Sequence, residues 1–250
     1  MMKIITFTSD FGNKDWFAAA VKGEILKINR DVLIIDITHK LIPQNIKSTA
    51  FLLKSVYKNF PQGTIHLVVV DPGVGSKRKP IIVESDKYYF VGPDNGIFSY
   101  IYNRNYKVYE IKVRKKLSTT FHARDIFGPI AARLSKGSPP KNLGTRIKEY
   151  IKFEFPKPKR KGVKIYGEVL YVDHFGNLIT NIENNINIKQ LDISSNKIAV
   201  KKYYGEGKPD EIISVRGSSG YYEIACNKGN AQRVLRAFIG LKISGKISTS

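Results

Sequence analysis

The pattern of hydrophobic and polar positions divides the N-terminal part of the chain into alternating strands and helices. Lys3–Thr8, Val32–Ile37 and Ile65–Val70 are short apolar runs rich in β-branched residues, which predicts buried β-strands. Between them, apolar residues recur at helical spacing over 17–28 and 46–57. This β-α-β-α-β order is typical of a parallel or mostly parallel sheet with helices packed on it.

The pattern changes in the C-terminal part of the chain. The segment 156–162 is rich in Pro and Lys, as linkers are. After it, short apolar runs separated by Gly, Asn and Asp turns extend from Lys164 to Asn227, with little helical periodicity. We therefore predict an α/β domain with a mostly parallel sheet and flanking helices over 1–155, a linker over 156–162, and a smaller all-β, barrel-like domain over 163–250.

Composition narrows the class of protein. The chain has 250 residues, of which 42% are hydrophobic, and no apolar run approaches the length that spans a bilayer. Its first residues read as a strand rather than as a signal peptide, so we expect a cytoplasmic protein without a membrane partner. The single cysteine, Cys226, excludes an internal disulfide and a cysteine-based zinc cluster.

The net charge of +21 raises the question of a nucleic-acid partner. The excess of Lys and Arg is spread over both predicted domains, and dense clusters occur only at Lys112–Lys116 and Lys157–Lys164. This distribution favours a lysine-rich solvated surface, so a nucleic-acid partner is not our prediction.

Candidate chemistry begins at the end of the third strand. Asp71 follows the buried run Ile65–Val70, and a Pro- and Gly-rich loop then leads to Arg78. Open α/β sheets bind ligands at the carboxyl ends of their strands, although such an aspartate can instead cap its own turn. The sequence contains no complete dinucleotide fingerprint, P-loop, paired-histidine metal motif or G-x-S-x-G elbow. We therefore predict no metal and no cofactor.

Seven motifs occur along the chain in an order that resembles one enzyme family. They are Thr8-Ser-Asp-Phe-Gly12, Asp36-Ile-Thr-His39, Asp71-Pro-Gly-Val-Gly75 with Arg78, Gly92-Pro-Asp-Asn-Gly96, Phe121-His-Ala-Arg-Asp125, Asp173-His-Phe-Gly-Asn177 and Gly217-Ser-Ser-Gly-Tyr221. The set is similar to that of the S-adenosyl-L-methionine (SAM) hydrolases, also called SAM hydroxide adenosyltransferases, which are relatives of the SAM-dependent fluorinase and chlorinase.

The resemblance implies a fold, an assembly and a reaction. It implies an N-terminal α/β domain, a C-terminal β-barrel and a homotrimer whose active site lies at the subunit interface. It implies in-line attack of water or hydroxide on ribose C5′ of SAM, which is the substrate, to give adenosine and L-methionine. The implied catalytic set is Asp71, Arg78 and His122, although a loop histidine such as His122 could instead be satisfied by backbone groups. Which of them acts as the base is left open.

The same resemblance implies a set of substrate-binding residues. Asp10 would bind the ribose hydroxyls, Phe175 and Asn177 would contact adenine, and the backbone around Cys226 would do so too. The methionine part would be held by Asp173 and Ser218, joined by Glu223 on the strand that follows.

Departures from the halide-using relatives favour water as the nucleophile. Those enzymes carry Tyr and Thr where this chain has Asp71 and Val74, and Trp where it has Gln44. Ser219 stands where they have an Arg for the methionine carboxylate, which leaves the partner of that carboxylate open. The alternatives are a SAM or adenosine sensor with little turnover, and a halogenase-like enzyme.

Overall fold

The computed structural model describes residues 3–113 and 117–248, and the chain divides into two compact units, Met1–Glu154 and Phe155–Ser250. Residues 114–116 of the basic cluster Lys112–Lys116 lie outside the described residues. Within the described ranges, no helix is both long enough and apolar enough to cross a membrane.

The first unit is built on a seven-stranded sheet with the order β2-β1-β3-β5-β4-β6-β7. Its strands are β1 (Lys3–Ser9), β2 (Val32–Thr38), β3 (Ile65–Val69), β4 (Pro80–Ser85), β5 (Tyr88–Pro93), β6 (Lys107–Ile111) and β7 (Gly144–Ile147). Its helices are α1 (Phe17–Ile28), α2 (Ile46–Val56), α3 (Gly128–Ser135) and α4 (Pro140–Leu143), with a 3₁₀ turn at Tyr57–Asn59 and a π-helical turn at Ala123–Phe127.

The sheet is mixed, which corrects the prediction of a mostly parallel one. Of the six pairings between these described strands, β1 with β2, β1 with β3 and β3 with β5 are parallel, and the other three are antiparallel. The reason is local, because β4 and β5 form a hairpin across Asp86 and Lys87. Both residues have positive φ, as a two-residue type I′ turn requires. The predicted β-α-β-α-β unit forms only the parallel half.

Both faces of the sheet are buried. Along β3, Leu67 and Val69 belong to one apolar core and Val68 to another, as the alternation of side chains along a strand requires. The first core includes residues of α1 and α3, and the second includes Leu53 of α2. β3 is therefore a rigid, buried strand, and its carboxyl end fixes the position of Asp71, two residues further along the chain.

In the first unit, α2 begins with a side-chain cap. The side chain of Asn45 accepts a hydrogen bond from the backbone N–H of Ser48 at the start of α2. Asp15 does not cap α1, whose N-cap is Trp16 without a side-chain bond. Asp125 lies inside the π-helical turn and accepts from the backbone N–H of Ser118, so it fixes the preceding loop instead of a helix end.

The second unit contains an eight-stranded antiparallel sheet that nearly closes on itself. The strands are β8 (Lys159–Lys161), β9 (Lys164–Val172), β10 (Leu178–Glu183), β11 (Ile188–Ile193), β12 (Asn196–Ala199), β13 (Ile212–Arg216), β14 (Tyr221–Cys226) and β15 (Lys242–Ile247), with α5 at Ala231–Leu235 and a 3₁₀ turn at Tyr204–Glu206. The order is β12-β11-β15-β9-β10-β14-β13. The two end strands approach each other, as shown by a β-bridge between Val200, which directly follows β12, and Ser214 of β13.

The segment 156–162 is not a plain linker. Lys159–Lys161 form β8, which pairs antiparallel with β9 in the register Lys159 to Tyr166. The turn is made at Gly162, whose φ of 57° suits a tight reversal. The Pro- and Lys-rich composition that suggested a linker instead describes a short, charged edge strand, a common way of keeping a sheet edge from pairing with other chains.

Candidate active site

Asp71 is placed by the end of β3 and by the loop that follows. The side chain of Asn95 donates a hydrogen bond of 2.8 Å to the carbonyl of Val70, which fixes the backbone immediately after β3. Gly75 then adopts a φ of 79°, and a Cβ there would collide with the carbonyl oxygen of Thr119. The glycine therefore allows the loop of Asp71 to contact the loop that leads to His122.

Asp71, Arg78 and His122 form one hydrogen-bonded cluster. The Arg78 guanidinium donates from Nε to both carboxylate oxygens of Asp71 at 3.0 Å, and from Nη2 to Oδ2 at 2.5 Å. Nη2 also lies 2.6 Å from Nδ1 of His122. The side chains of Arg78 and Asp71 are only 7% and 6% exposed, so this charge pair is held largely away from water.

The contact with Arg78 determines the state of His122. An arginine can only donate, so Nδ1 must accept and the neutral ring carries its proton on Nε2. Burial lowers the pKa of His122, and the positive charge of Arg78 lowers it further, against the opposite influence of Asp71 and Asp125. His122 is thus a neutral imidazole in this arrangement, with Nδ1 already committed to Arg78.

Arg78 is fixed on a further side by packing. Its guanidinium carbon lies 5.2 Å from the centre of the Phe127 ring, at the end of the π-helical turn that starts after His122. Its Nη1 is buried and has no hydrogen-bond partner within 3–113 and 117–248. This nitrogen is therefore an unsatisfied donor inside the cluster.

Asp10 lies at the same end of the sheet, one residue after β1. Its carboxylate accepts a hydrogen bond of 2.9 Å from the backbone N–H of Gln44, which has a φ of 63°. A cleft of about 170 Å³ joins these features. Its lining includes Asp10, Gln44, Asp71, Val74, Phe121 and His122. A larger cleft of about 300 Å³ between Ile111 and Leu143 contains none of the predicted site residues.

In the second unit, Asp173 organises the loop between β9 and β10. Its Oδ1 accepts from the backbone N–H of Phe175 at 2.9 Å and of Asn177 at 2.8 Å, and its Oδ2 accepts from Asn177 Nδ2 at 2.9 Å. Asp173 and Asn177 are therefore brought together, with the amide oxygen of Asn177 still able to accept. The Phe175 ring is 71% exposed and available as a stacking surface.

Glu223 lies beside the loop that joins β13 and β14. The hydroxyl of Tyr204 donates 2.7 Å to Oε2 of Glu223, and a Cβ at Gly217 would collide with the same carboxylate. Burial raises the pKa of Glu223, Asp173 raises it further, and the bond from Tyr204 opposes both. Ser218 is exposed in this loop, and the Oγ of Ser219 is buried without a hydrogen-bond partner in the described chain.

Cys226 stands apart from Glu223. It shares an apolar core with Tyr222 and Ile224, on the face of β14 opposite to Glu223. Burial raises the pKa of its thiol. The thiol is therefore a packed core group, and the backbone is what this position can offer a ligand.

Sequence reasoning missed three contacts in these clusters. Phe127, which packs against Arg78, reads as an ordinary apolar helix residue. Gln44 acts through its backbone N–H, which no side-chain motif reveals. Tyr204 precedes Glu223 by nineteen residues and belongs to no motif. Only pairing across the fold identifies them.

Sequence comparison assigns the chain to a family. Residues 5–144 match the SAM hydroxide adenosyltransferase N-terminal domain, and residues 167–244 match the corresponding C-terminal domain. The two-unit fold and the acid–arginine–histidine cluster thus occur in a chain that belongs to the SAM hydroxide adenosyltransferase family.

Individual relatives agree with this assignment. A curated relative from Methanocaldococcus jannaschii, named (R)-S-adenosyl-L-methionine hydrolase, is 34% identical over 94% of this chain and 92% of its own length. A solved structure from Thermotoga maritima superposes with a TM-score of 0.90 at 35% identity, over 97% of this chain and 99% of that one. A fluorinase from an Actinoplanes strain is more distant, at 26% identity over 72% of this chain and 71% of its own length.

Proposed function

We propose that this protein hydrolyses SAM to adenosine and L-methionine. The observation that carries the proposal is the buried cluster of Asp71, Arg78 and His122 in a chain of this family. In the reaction, an oxygen of water or hydroxide forms a bond to ribose C5′ while the bond from C5′ to sulfur breaks. The electron pair goes to sulfur, so methionine leaves as a neutral thioether and needs no general acid.

The residues of the cluster have distinct proposed roles. The free Nη1 of Arg78 would hold the attacking oxygen, and the guanidinium charge would favour its hydroxide form. Because Nδ1 of His122 already accepts from Arg78, Asp71 is the better proton acceptor in this arrangement. His122 would keep the guanidinium oriented. Attack of an anion on a sulfonium neutralises charge, so a site shielded from water would favour the step.

We further propose that substrate binding follows the predicted residues. Asp10 would accept from the ribose hydroxyls, and Phe175 and Asn177 would contact adenine. Asp173, Glu223 and Ser218 would hold the methionine end, where the carboxylates suit its ammonium group. The backbone near Cys226 would complete the adenine contacts, and no metal or cofactor would take part.

The decisive experiment is turnover in ¹⁸O-labelled water, followed by mass spectrometry. We expect labelled adenosine and unlabelled methionine over many turnovers, with no 5′-halogenated nucleoside when chloride or fluoride is added. Product equal to about one equivalent per site would instead indicate a SAM sensor. A halogenated product would indicate a halogenase. SAM that is neither bound nor consumed would refute the proposal.

We also propose a homotrimer, in the cytoplasm, with each active site shared between neighbouring subunits. Candidate residues occur in both units of the chain, which allows a complementation test. Asp71→Asn and Asn177→Ala variants, each inactive alone, should regain activity when unfolded and refolded together, because some sites then combine two intact halves. Chains that exchange into mixed oligomers without regaining activity would exclude the shared site, and light scattering reports the subunit number.

A further inference from the structure

Three side chains behind Asp10 form a row that the proposed reaction does not use, with a hydrogen bond between Ser9 and His39 and a close charged contact between His39 and Asp36. Oγ of Ser9, the last residue of β1, lies 2.7 Å from Nδ1 of His39, and Nε2 of His39 lies 3.2 Å from Oδ1 of Asp36. Ser9 and His39 are buried, whereas Asp36 reaches the surface and pairs with Lys22 at 2.5 Å. The row therefore connects the interior of the turn at Asp10 to an anchored carboxylate.

The hydrogens in this row have one consistent direction. Nε2 of His39 faces the Asp36 carboxylate at 3.2 Å without hydrogen-bond geometry, and this charge favours the ring proton on Nε2, which leaves Nδ1 to accept from the Ser9 hydroxyl. The Oγ of Ser9 in turn lies 3.4 Å from the backbone N–H of Phe11, which donates to it. Burial lowers the pKa of His39, which agrees with a neutral ring. The hydrogen bonds of Ser9 to His39 and to the N–H of Phe11 therefore restrain the turn 9–11.

Backbone hydrogen bonds from the loop 39–44 also hold the turn that contains Asp10. The N–H of Gly12 donates 2.7 Å to the carbonyl of His39, and the N–H of Gln44 donates 2.9 Å to the carboxylate of Asp10. The loop 39–44 thus contacts the turn 9–12 at Ser9, Asp10 and Gly12. Ser9 does not act as a nucleophile, because its side chain has no exposed surface.

We propose that His39, with Ser9 and Asp36, is a positioning residue that sets the orientation of the Asp10 carboxylate towards the ribose hydroxyls of the substrate. The inference rests on the proposed function only in that Asp10 binds the ribose. It predicts that the row acts on nucleoside binding and leaves the Asp71–Arg78–His122 chemistry unchanged.

Strand β1 itself supplies a matched control. Three residues before Ser9, the hydroxyl of Thr6 lies 2.8 Å from Nδ1 of His66, and both residues are fully buried. Ser9→Ala and Thr6→Val each remove one buried hydroxyl from a histidine, one beside Asp10 and one away from the cleft. Both variants should lower the melting temperature by a few degrees, because each leaves a buried nitrogen unpaired.

Only the Ser9 variant should alter binding. For Ser9→Ala we expect KM for SAM and Kd for adenosine to rise about ten-fold, with kcat within two-fold of wild type. Affinity for 2′,3′-dideoxyadenosine, which lacks the hydroxyls, should change by less than two-fold. Asp36→Asn keeps an oxygen facing Nε2 and should bind adenosine nearly as the wild type does, whereas Asp36→Ala should resemble Ser9→Ala.

The outcomes separate this inference from the proposed function. If the wild type binds adenosine but Ser9→Ala and Thr6→Val bind it equally well, or if Ser9→Ala weakens dideoxyadenosine as much as adenosine, the positioning role is wrong. If the wild type neither binds adenosine nor consumes SAM, the proposed function fails first, and this inference fails with it.

Discussion

At the scale of single residues, the strongest constraint is the fork by which Arg78 connects a carboxylate to an imidazole. A lysine at 78 keeps the charge but has a single nitrogen, so it cannot reproduce the fork in which Nε and Nη2 both donate to Asp71 while Nη2 also contacts His122. We expect Arg78→Lys to lower kcat/KM for SAM by at least about 100-fold, with the fold retained. Steady-state kinetics and circular dichroism measure both.

A neighbouring arginine provides the control for this change. Arg124 also pairs with an aspartate through two nitrogens, to Asp125 at 2.6 and 3.1 Å, and also lies over an aromatic ring, that of Phe121 at 5.0 Å. Arg124→Lys should therefore keep kcat/KM within about five-fold. If both variants lose kcat/KM to the same extent, the connection that Arg78 makes between Asp71 and His122 has no special role in the reaction.

His122 leads to a prediction about pH. Its neutral form accepts from Arg78, and protonation would place two cations side by side, so activity should fall as pH drops through the pKa of His122. That pKa lies below the usual 6.5. The acid limb of the kcat/KM profile should therefore lie below pH 6.5. Asp125 raises the pKa of His122, so Asp125→Asn should move this limb to lower pH. A limb above pH 6.5, or one that Asp125→Asn leaves in place, contradicts this role.

His66 predicts how stability depends on pH. Burial lowers its pKa to about 3 in the folded protein, while an unfolded chain titrates near 6.5. The unfolded state binds the extra proton between these values, so stability is complete above pH 6.5 and is lost as pH falls towards 3. The loss attributable to His66 is on the order of 5 kcal/mol. Urea unfolding of wild type and His66→Phe across this range should show a weaker pH dependence in the variant, and parallel curves would exclude the effect.

At the scale of elements, strand ends were easier to predict than strand partners. The apolar run of β3 and the Pro-Gly loop after it place Asp71 from sequence alone, because both signals are local. The mixed direction of the sheet depends on the turn at Asp86 and Lys87, which contains no glycine and so gave no hairpin signal. β8 was taken for a linker for a different reason, because its Pro- and Lys-rich composition concealed the pairing with β9 although Gly162 lies in the turn between them.

The closeness of two loops is itself testable through Gly75. Gly75→Ala would combine a strained φ with a collision against the carbonyl of Thr119, and so separate the Asp71 loop from the loop before His122. Gly137 has a similar φ of 88° but open space around its Cα. The strained φ should cost both alanine variants about 1 kcal/mol of stability, and the collision should add to this loss at Gly75. Only Gly75→Ala should lose most of its activity, and equal activity would show that the loop contact is dispensable.

At the scale of the whole molecule, only part of the site can be predicted from local sequence. Asp71 and Arg78 share one loop, which the sequence shows directly, whereas their pairing was implied only by the family resemblance. His122 is forty-four residues from Arg78, and only the close approach at Gly75 brings it there. The Ser9–His39–Asp36 row was invisible for the same reason, since it links residues from β1, from β2 and from the loop after β2. Such sites are determined by packing between distant segments of the chain, which a linear sequence pattern does not reveal.

The net charge of +21 bears on the substrate as well as on the surface. SAM carries a sulfonium, an ammonium and one carboxylate, so the field of the whole protein should repel it. Salt screens this field, with a Debye length of about 10 Å at 0.1 M. We therefore expect KM for SAM to fall roughly two- to five-fold between about 20 and 300 mM NaCl, while Kd for uncharged adenosine stays constant. A KM that rises with salt would instead show that nearby carboxylates such as Asp10 and Asp71 outweigh the net charge and attract the substrate.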